Sequence, residues 1–350
     1  MEVFLNLKAR VVPNGMPESG DRTAALEAAA VFGRTNSNVR KLEQTWRRAV
    51  KKGRILTIRA RSRLGGEAAG IKAENVVWIL GSGRTGSTWL SSIMGEMEEQ
   101  VVWREPLVGT LFGHLYYVRA TDRVDKQGTH FILGEEYKKT WLRPLRDLVL
   151  DGAAARFPQL LAGGYLVIKE PNGSIGAPLL MEALPESRMI LLVRDPRDVV
   201  ASSMDALKAG SWLREKQEKD GQKRGPPVDE DPNAYVKMRA SAFLQQAGNA
   251  KEAYDAHRGY KALVRYEDLR ADTLGTMRRM YAELGIEVDE RELARAVEKH
   301  AWESIPEEEK GRGKFYRKAM PGAWREDLTP EQAQMVEDIT APLMREFYPA

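Results

Sequence analysis

WILGSGRTGSTWL, residues 78–90, decides how the rest of the chain is read. An apolar run, Val76-Val77-Trp78-Ile79-Leu80, ends in a loop with glycines at 81, 83 and 86. Ser87 and Thr88 then open the helix-like segment Trp89-Leu90-Ser91-Ser92-Ile93-Met94. Strand, glycine-rich turn and helix start together make a cradle in which backbone N–H groups and the positive helix end face an anion. A nucleotide triphosphatase loop has the form GxxxxGK[ST], its lysine reaching the β- and γ-phosphates. Gly81 and Gly86 keep that spacing, but Ser87 stands where the lysine belongs. A di- or triphosphate with magnesium therefore loses its usual partner. Arg84, inside the loop, offers a planar guanidinium suited to an oxyanion instead. The loop suits a smaller anionic group held without a required metal. The alternative is a tight strand-to-helix turn with no ligand.

Working outward, residues 75–80, 165–169, 188–193 and 261–265 are short continuous apolar runs, the pattern of strands covered on both faces. Helical patterns lie at 87–98, 175–184, 196–208 and 272–284. This alternation predicts an α/β fold: a central parallel sheet flanked by helices in three layers, with ligands at the carboxyl ends of the strands. Residues 1–70 are expected to form a basic, partly helical N-terminal extension, with a helix over 38–51, and residues 71–350 the catalytic domain. Residues 214–233, charged and carrying Gly-Pro-Pro, are expected to be a solvated loop or a lid.

The 350-residue chain is 43% hydrophobic with a formal net charge of +4, so its excess of base is small. Arg40, Lys41, Arg47, Arg48, Lys51, Lys52, Arg54, Arg59, Arg61 and Arg63 concentrate that base in one segment. Residues 34–63 are therefore a candidate membrane-surface or nucleic-acid contact, although a helix packing on the catalytic domain is preferred and no nucleic-acid partner is expected. Cysteine is absent, which excludes a disulfide scaffold, a thiolate zinc site and a cysteine nucleophile. With four histidines, a histidine-rich metal site is not expected either. No stretch approaches a membrane span and the N-terminus lacks a secretory pattern, so a cytoplasmic protein is the expectation. The oligomeric state is not legible.

Two further segments join the loop. In MILLVRDPRDVVAS, residues 189–202, a strand runs into Arg194, and Ser202 follows two helical turns after Pro196. The two can grip a second phosphate, or Asp195 can simply cap the helix. In KFYRKAMPGAWRE, residues 314–326, Arg317-Lys318 precedes a Pro-Gly turn and a tryptophan. Alone it reads as a basic surface loop.

Together, in this order and spacing, the three segments resemble the sulfotransferases that use 3′-phosphoadenosine 5′-phosphosulfate (PAPS), closer to the bacterial and carbohydrate branches than to the cytosolic steroid and phenol branch. The resemblance covers most of residues 75–348. It implies that Gly83, Arg84, Thr85, Gly86, Ser87 and Thr88 form the loop for the 5′-phosphosulfate, with Arg84 at the bridging oxygen. It implies that Trp89, Tyr266 and Trp302 lie by the adenine, although Trp302 is equally readable as a core residue. Arg194 and Ser202 match the 3′-phosphate pair, and Arg317 and Lys318 the late motif that closes on it. Ala319 stands where the family commonly has glycine, and Ala323 departs from the common GDW.

The resemblance further implies sulfuryl transfer from PAPS, with no metal required, to an acceptor hydroxyl on a glycan, glycolipid, phenol or other small alcohol. Fixed cations, Arg84 and Lys169, are expected at the leaving oxygen. The acceptor needs a base. The cytosolic branch's histidine is replaced here by Glu170-Pro171; the carbohydrate and protein-tyrosine branches instead carry a glutamate soon after the first helix, often in Glu-Pro, and that resemblance implies Glu105, in VVWREPLVG, as the base, with His114 and Glu170 in reserve. Trp103, Phe112, Tyr116, Tyr117, Phe131, Tyr137 and Trp141 make the acceptor segment aromatic or belong to the core. The competing readings are a P-loop small-molecule kinase and a basic nucleic-acid or membrane-binding module.

Overall fold

Five parallel strands form one sheet in the order β2-β3-β1-β4-β5: β1 (Val76–Gly81), β2 (Gln100–Arg104), β3 (Tyr165–Lys169), β4 (Arg188–Val193) and β5 (Lys261–Arg265). They come from a computed structural model that describes residues 70–119, 131–219 and 228–348. The expected helix over 38–51, the whole basic segment 34–63 and residues 220–227 lie outside the described residues.

β1 and β4 are buried along their whole length and β3 along nearly all of it. This is why each reads as an uninterrupted apolar run. Their side chains alternate between two cores. Trp78, Leu80, Ile168, Leu191 and Val193 face α3 (Lys138–Arg156), α4 (Ala177–Ala183), α7 (Pro232–Ala256) and α11 (Pro330–Phe347). Val77, Ile79, Val167, Ile190 and Leu192 face α1 (Ser87–Met94), α8 (Tyr266–Ala271), α9 (Thr273–Glu283) and α10 (Glu290–Lys299). The result is three layers, and it places the carboxyl ends of β1, β3 and β4 side by side.

The strands and short helices fall close to the expected boundaries. The structure differs in three places. β2 was not expected, because it is an edge strand of mixed burial whose residues, Gln-Val-Val-Trp-Arg, lack the continuous apolar signal. The long helices α3, α7 and α11 were not expected either, and α3 and α11 carry internal prolines, Pro144 and Pro342, which mimic helix ends. Residues 214–219 are not loop: they belong to α6 (Trp212–Lys219), and α7 starts at Pro232 with Asp231 as its cap.

Helix α2 (Val108–Gly113) packs backbone to backbone on the 171–176 turn after β3. A Cβ on Gly109 would come within 2.3 Å of the Gly173 carbonyl oxygen. Glycines at this crossing fix where the end of β2 sits relative to the end of β3. No helix among the described residues is long and apolar enough to cross a membrane.

Candidate active site

The loop from Gly81 to Gly86 leaves β1 with its own internal bracing. The Gly81 N–H donates to Ser174 Oγ at 2.7 Å, and Thr85 Oγ1 donates to the Ser82 carbonyl at 2.7 Å. Arg84 takes a left-handed backbone, φ 71°. Gly86, φ 90°, is where the backbone turns into α1, and a Cβ there would meet the Tyr266 ring at 2.6 Å. Only glycine admits both that conformation and that contact.

On one side of the loop lies a cavity of roughly 830 Å³, part of it open to solvent. Arg84, Gly86, Ser87, Thr88, Trp89, Arg194, Ser202, Tyr266, Trp302, Arg317 and Lys318 all line it. Segments more than two hundred residues apart in the chain are thus brought to one space. Gly83 and Thr85 are not among its lining. Thr85 spends its hydroxyl inside the loop, and Gly83 faces Asn172 and Arg239 on the opposite side.

The cavity's charges are of two kinds. Arg194 ends β4 and lies over the Tyr266 ring at 4.2 Å; it donates to the Arg84 carbonyl at 3.1 Å and approaches Asp198 at 4.0 Å. Asp195 does cap α5 (Pro196–Leu207), accepting from Arg197 N at 2.8 Å, while Arg194 and Ser202 of the same segment line the cavity. Arg317 pairs with Asp327 at 2.5 Å, and Lys318 pairs with Asp327 at 3.0 Å and Glu326 at 2.8 Å. Burial pushes the Asp327 carboxyl up, but its bonds from Lys318 and Arg317 outweigh this and hold it below the ordinary range.

Arg84 has no carboxylate partner among the described residues. Its Nε donates to Ser202 Oγ at 3.1 Å, and its guanidinium lies 5.6 Å and 5.5 Å from the Trp212 and Phe315 ring centroids. Burial, then the fields of Arg194, Arg317 and Arg239, push its pKa down to about 10 against a weaker pull from Asp205. A guanidinium held this way is starved of negative charge.

The aromatic wall is fixed by backbone contacts. Trp89 donates its indole N–H to the His300 carbonyl at 2.7 Å and meets Tyr266 edge to face at 6.2 Å. Trp302 is not a core residue: it lines the cavity with Lys310 over its ring at 5.1 Å.

Across the loop lies a second cluster. Lys169, ending β3, donates to Glu105 Oε1 at 2.7 Å, and Asn172 Nδ2 reaches the same oxygen at 3.3 Å. Glu105 Oε2 is buried without a hydrogen-bond partner. Glu105 has φ 49° and Leu107 φ 66°, two left-handed non-glycine residues in one turn. Such strain persists only where the surroundings impose it.

Neither reserve base joins this cluster. Glu170 is fully buried and accepts from the N–H groups of Gly109 at 2.8 Å and Thr110 at 3.3 Å, holding α2 in place. His114 opens the π-helical segment that follows α2; it is exposed, and its side chain makes no hydrogen bond among the described residues.

A family model described as "Sulfotransferase family" matches residues 77–290. The chain belongs to the sulfotransferase family. Over 121 residues it is 30% identical to an omega-hydroxy-beta-dihydromenaquinone-9 sulfotransferase of Mycobacterium bovis, a match covering 35% of this chain and 29% of that relative. The Mycobacterium tuberculosis protein of the same name matches identically. The chain thus spans under a third of these relatives' length. Among solved structures, a mouse sulfotransferase complexed with PAP aligns with TM-score 0.48 at 14% identity, over 78% of this chain and 85% of that one. A sulfotransferase from Mycobacterium avium aligns with TM-score 0.47 at 14% identity, over 79% and 77%.

Several residues of this sulfotransferase site carry no motif. Asp198, fully buried, accepts from the N–H groups of Gly322 at 2.7 Å and Trp324 at 2.9 Å, tying the late loop to α5. Arg270 Nε donates to the Ala319 carbonyl at 2.9 Å. Arg239, on α7, donates to Ser203, Ser82 and Gly83. It sits mid-helix, far from any glycine-rich segment, and no local pattern marks it.

Proposed function

We propose that this sulfotransferase moves the sulfuryl group of PAPS to an acceptor hydroxyl by in-line displacement, without a required metal. One observation carries the reading: a cavity walled by Trp89, Tyr266 and Trp302 and ringed by Arg84, Arg194, Arg317 and Lys318, linked through Asn172, which abuts Gly83 of the loop, to Glu105, a carboxylate with one oxygen unpartnered among the described residues. The residues fit the donor. Aromatic faces suit the adenine. Arg194, Ser202, Arg317 and Lys318 suit the 3′-phosphate, and Ser87, Thr88 and the N–H groups at the start of α1 suit the 5′-phosphate. Arg84, short of negative charge, suits the oxygen that leaves.

In the transfer the acceptor oxygen forms a bond to sulfur as the bond from sulfur to the bridging oxygen breaks, its electron pair staying on the phosphate. The acceptor's proton goes to Glu105, whose free Oε2 is the fitting acceptor. Lys169, 2.7 Å from Oε1, fixes the carboxylate's orientation and adds positive charge near the transferred group. The mycobacterial relative is named for a hydroxylated menaquinone, which favours a hydroxyl acceptor. Residues 71–350 form the catalytic domain of a cytoplasmic enzyme, and 1–70 a basic extension whose segment 34–63 is available to an anionic membrane surface.

Calorimetric titration with PAP (3′-phosphoadenosine 5′-phosphate, the spent donor) in chelator, beside ATP with magnesium, tests the reading. Micromolar PAP binding that is lost in Arg194→Ala is the expected result. Binding of ATP–magnesium alone would replace this reading with a small-molecule kinase.

A further inference from the structure

Arg239 is the unexplained cation of this site. It projects from α7 to the underside of the loop, partly buried, and its bonds all go to neutral oxygens. Nε donates to Ser203 Oγ at 3.0 Å, and Nη2 donates to Ser82 Oγ at 3.1 Å and the Gly83 carbonyl at 2.9 Å. It makes no ion pair among the described residues, and Nη1 has no hydrogen-bond partner there. Burial pushes its pKa down, with only the Tyr235 hydroxyl opposing. A charge taken from water without an opposite charge is costly, and proteins keep such groups where an anion arrives. Arg317, Lys318 and Arg194 have their carboxylates; Arg239 does not.

Its position says which anion. A Cβ on Gly83 would lie 2.5 Å from Asn172 Oδ1 and 3.7 Å from Arg239 Nη2, so both side chains converge on one face of Gly83. Asn172 in turn touches Glu105. The order across the site is therefore the arginine-lined cavity, Gly83 with Arg239 beside it, Asn172, then the base. In a displacement the sulfur travels from the leaving oxygen on the cavity side to the acceptor oxygen on the Glu105 side. The transferred group, with its three non-bridging oxygens, must pass beside Gly83. Bound nucleotide phosphates lie behind it in the cavity.

Resting on the sulfuryl-transfer reading, we propose that Arg239 is a catalytic residue that grips the non-bridging oxygens of the sulfuryl group from the face of Gly83. Its bonds to Ser203, Ser82 and the Gly83 carbonyl hold the guanidinium flat against the loop and leave the Nη1 edge for the substrate. The partner is the sulfonate of the donor, and it follows that Arg239 discriminates PAPS from PAP, which lacks that group.

The test is a comparison of two affinities. PAP and PAPS are titrated by calorimetry, in chelator and without acceptor, into wild type, Arg239→Gln and Arg239→Lys. PAP binding by wild type establishes the nucleotide site independently, and its absence would fail the underlying reading rather than this one. The expected result is that Arg239→Gln weakens PAPS about tenfold or more and PAP less than twofold, with Arg239→Lys in between. Equal weakening of both ligands in both variants would reduce Arg239 to a brace of the loop and overturn the proposal. Unchanged PAPS affinity in Arg239→Gln would overturn it as well. If Arg239→Gln does not fold, Arg239→Lys alone decides by the same ratio of the two affinities.

Discussion

The cations at the two ends of this site are prepared differently. Around the region assigned to the 3′-phosphate, Arg194 lies by Asp198, and Arg317 and Lys318 share Asp327. Around the loop, Arg84 and Arg239 are held by hydroxyls, carbonyls and aromatic faces, with no carboxylate partner among the described residues. A paired guanidinium stays oriented when empty, and an arriving phosphate must share it with the resident acid, so its pull is steady and moderate. An unpaired one has lost much of its hydration without repayment, and its interaction with developing charge is undiluted. Binding is assigned to the first kind and chemistry to the second.

The largest expected effect follows from that division. Arg84→Gln should lower kcat by about 10²–10³-fold, the usual loss when one charge-stabilising donor is removed. PAP affinity should change little. The break would come from a variant that loses PAP binding as severely as turnover, because Arg84 would then be a binding cation like Arg194.

Glu170 is the converse case, a buried acid with no ion pair among the described residues. Burial pushes its pKa up to about 7, the N–H groups of Thr110 and Gly109 pulling the other way and the Glu105 carboxylate adding to the rise. A carboxyl that holds its proton more tightly when folded stabilises the fold below the unfolded pKa. That contribution is lost as pH rises towards the folded value. Stability should therefore fall between about pH 4.5 and 7 by up to roughly 3 kcal/mol. Glu170→Gln should flatten this slope in denaturant titrations at pH 5 and pH 8. An unchanged slope would assign it to other acids.

Asp198→Ala removes both acceptors that hold the late loop. A loss of about 1–3 kcal/mol in stability is expected, with PAP affinity falling about tenfold as Arg317 and Lys318 lose their placement. Unaltered PAP affinity would mean that Asp327 alone positions those cations.

Legibility in the sequence follows the same line. Residues that line the cavity from a local element were readable: the glycine loop with Arg84, Arg194 at a strand end, Ser202 two turns later and Arg317-Lys318 before a turn. Each needs only its neighbours to be placed. Asp198, Asn172 and Arg239 act on segments 124, 67 and 156 residues away in the chain, and nothing near them in sequence announces it. Glu170 and Glu105 show the limit from the other side. Both are followed by proline, both come directly after a strand of the same sheet, and composition does not separate them. The glycine crossing of α2 on the 171–176 turn separates them: Glu170 is fully buried under the N–H groups of Gly109 and Thr110, whereas Glu105 is only partly buried and pairs with Lys169; each keeps one oxygen without a hydrogen-bond partner among the described residues. The missed elements, β2 and the proline-bearing helices, follow from edge exposure and from prolines absorbed within helices.

Arg84 and Ala319 share one backbone feature, a left-handed conformation in a residue with a Cβ, at φ 71° and φ 48°. In Arg84 the strain, on the order of 1–2 kcal/mol, is attached to the side chain proposed to meet the leaving oxygen. In Ala319 the methyl has no such use, because the contact made there is by the carbonyl, which accepts from Arg270 at 2.9 Å. Ala319→Gly should relieve that strain while adding about 0.4–1 kcal/mol of unfolded-chain entropy. The net change is therefore neutral to stabilising by up to about 1.6 kcal/mol, with PAP affinity within twofold of wild type. Thermal unfolding beside PAP titration measures both. A loss of stability greater than that entropy cost would show that the methyl packs usefully, and that strain at this end of the site, like the ion pairs, belongs to the binding machinery.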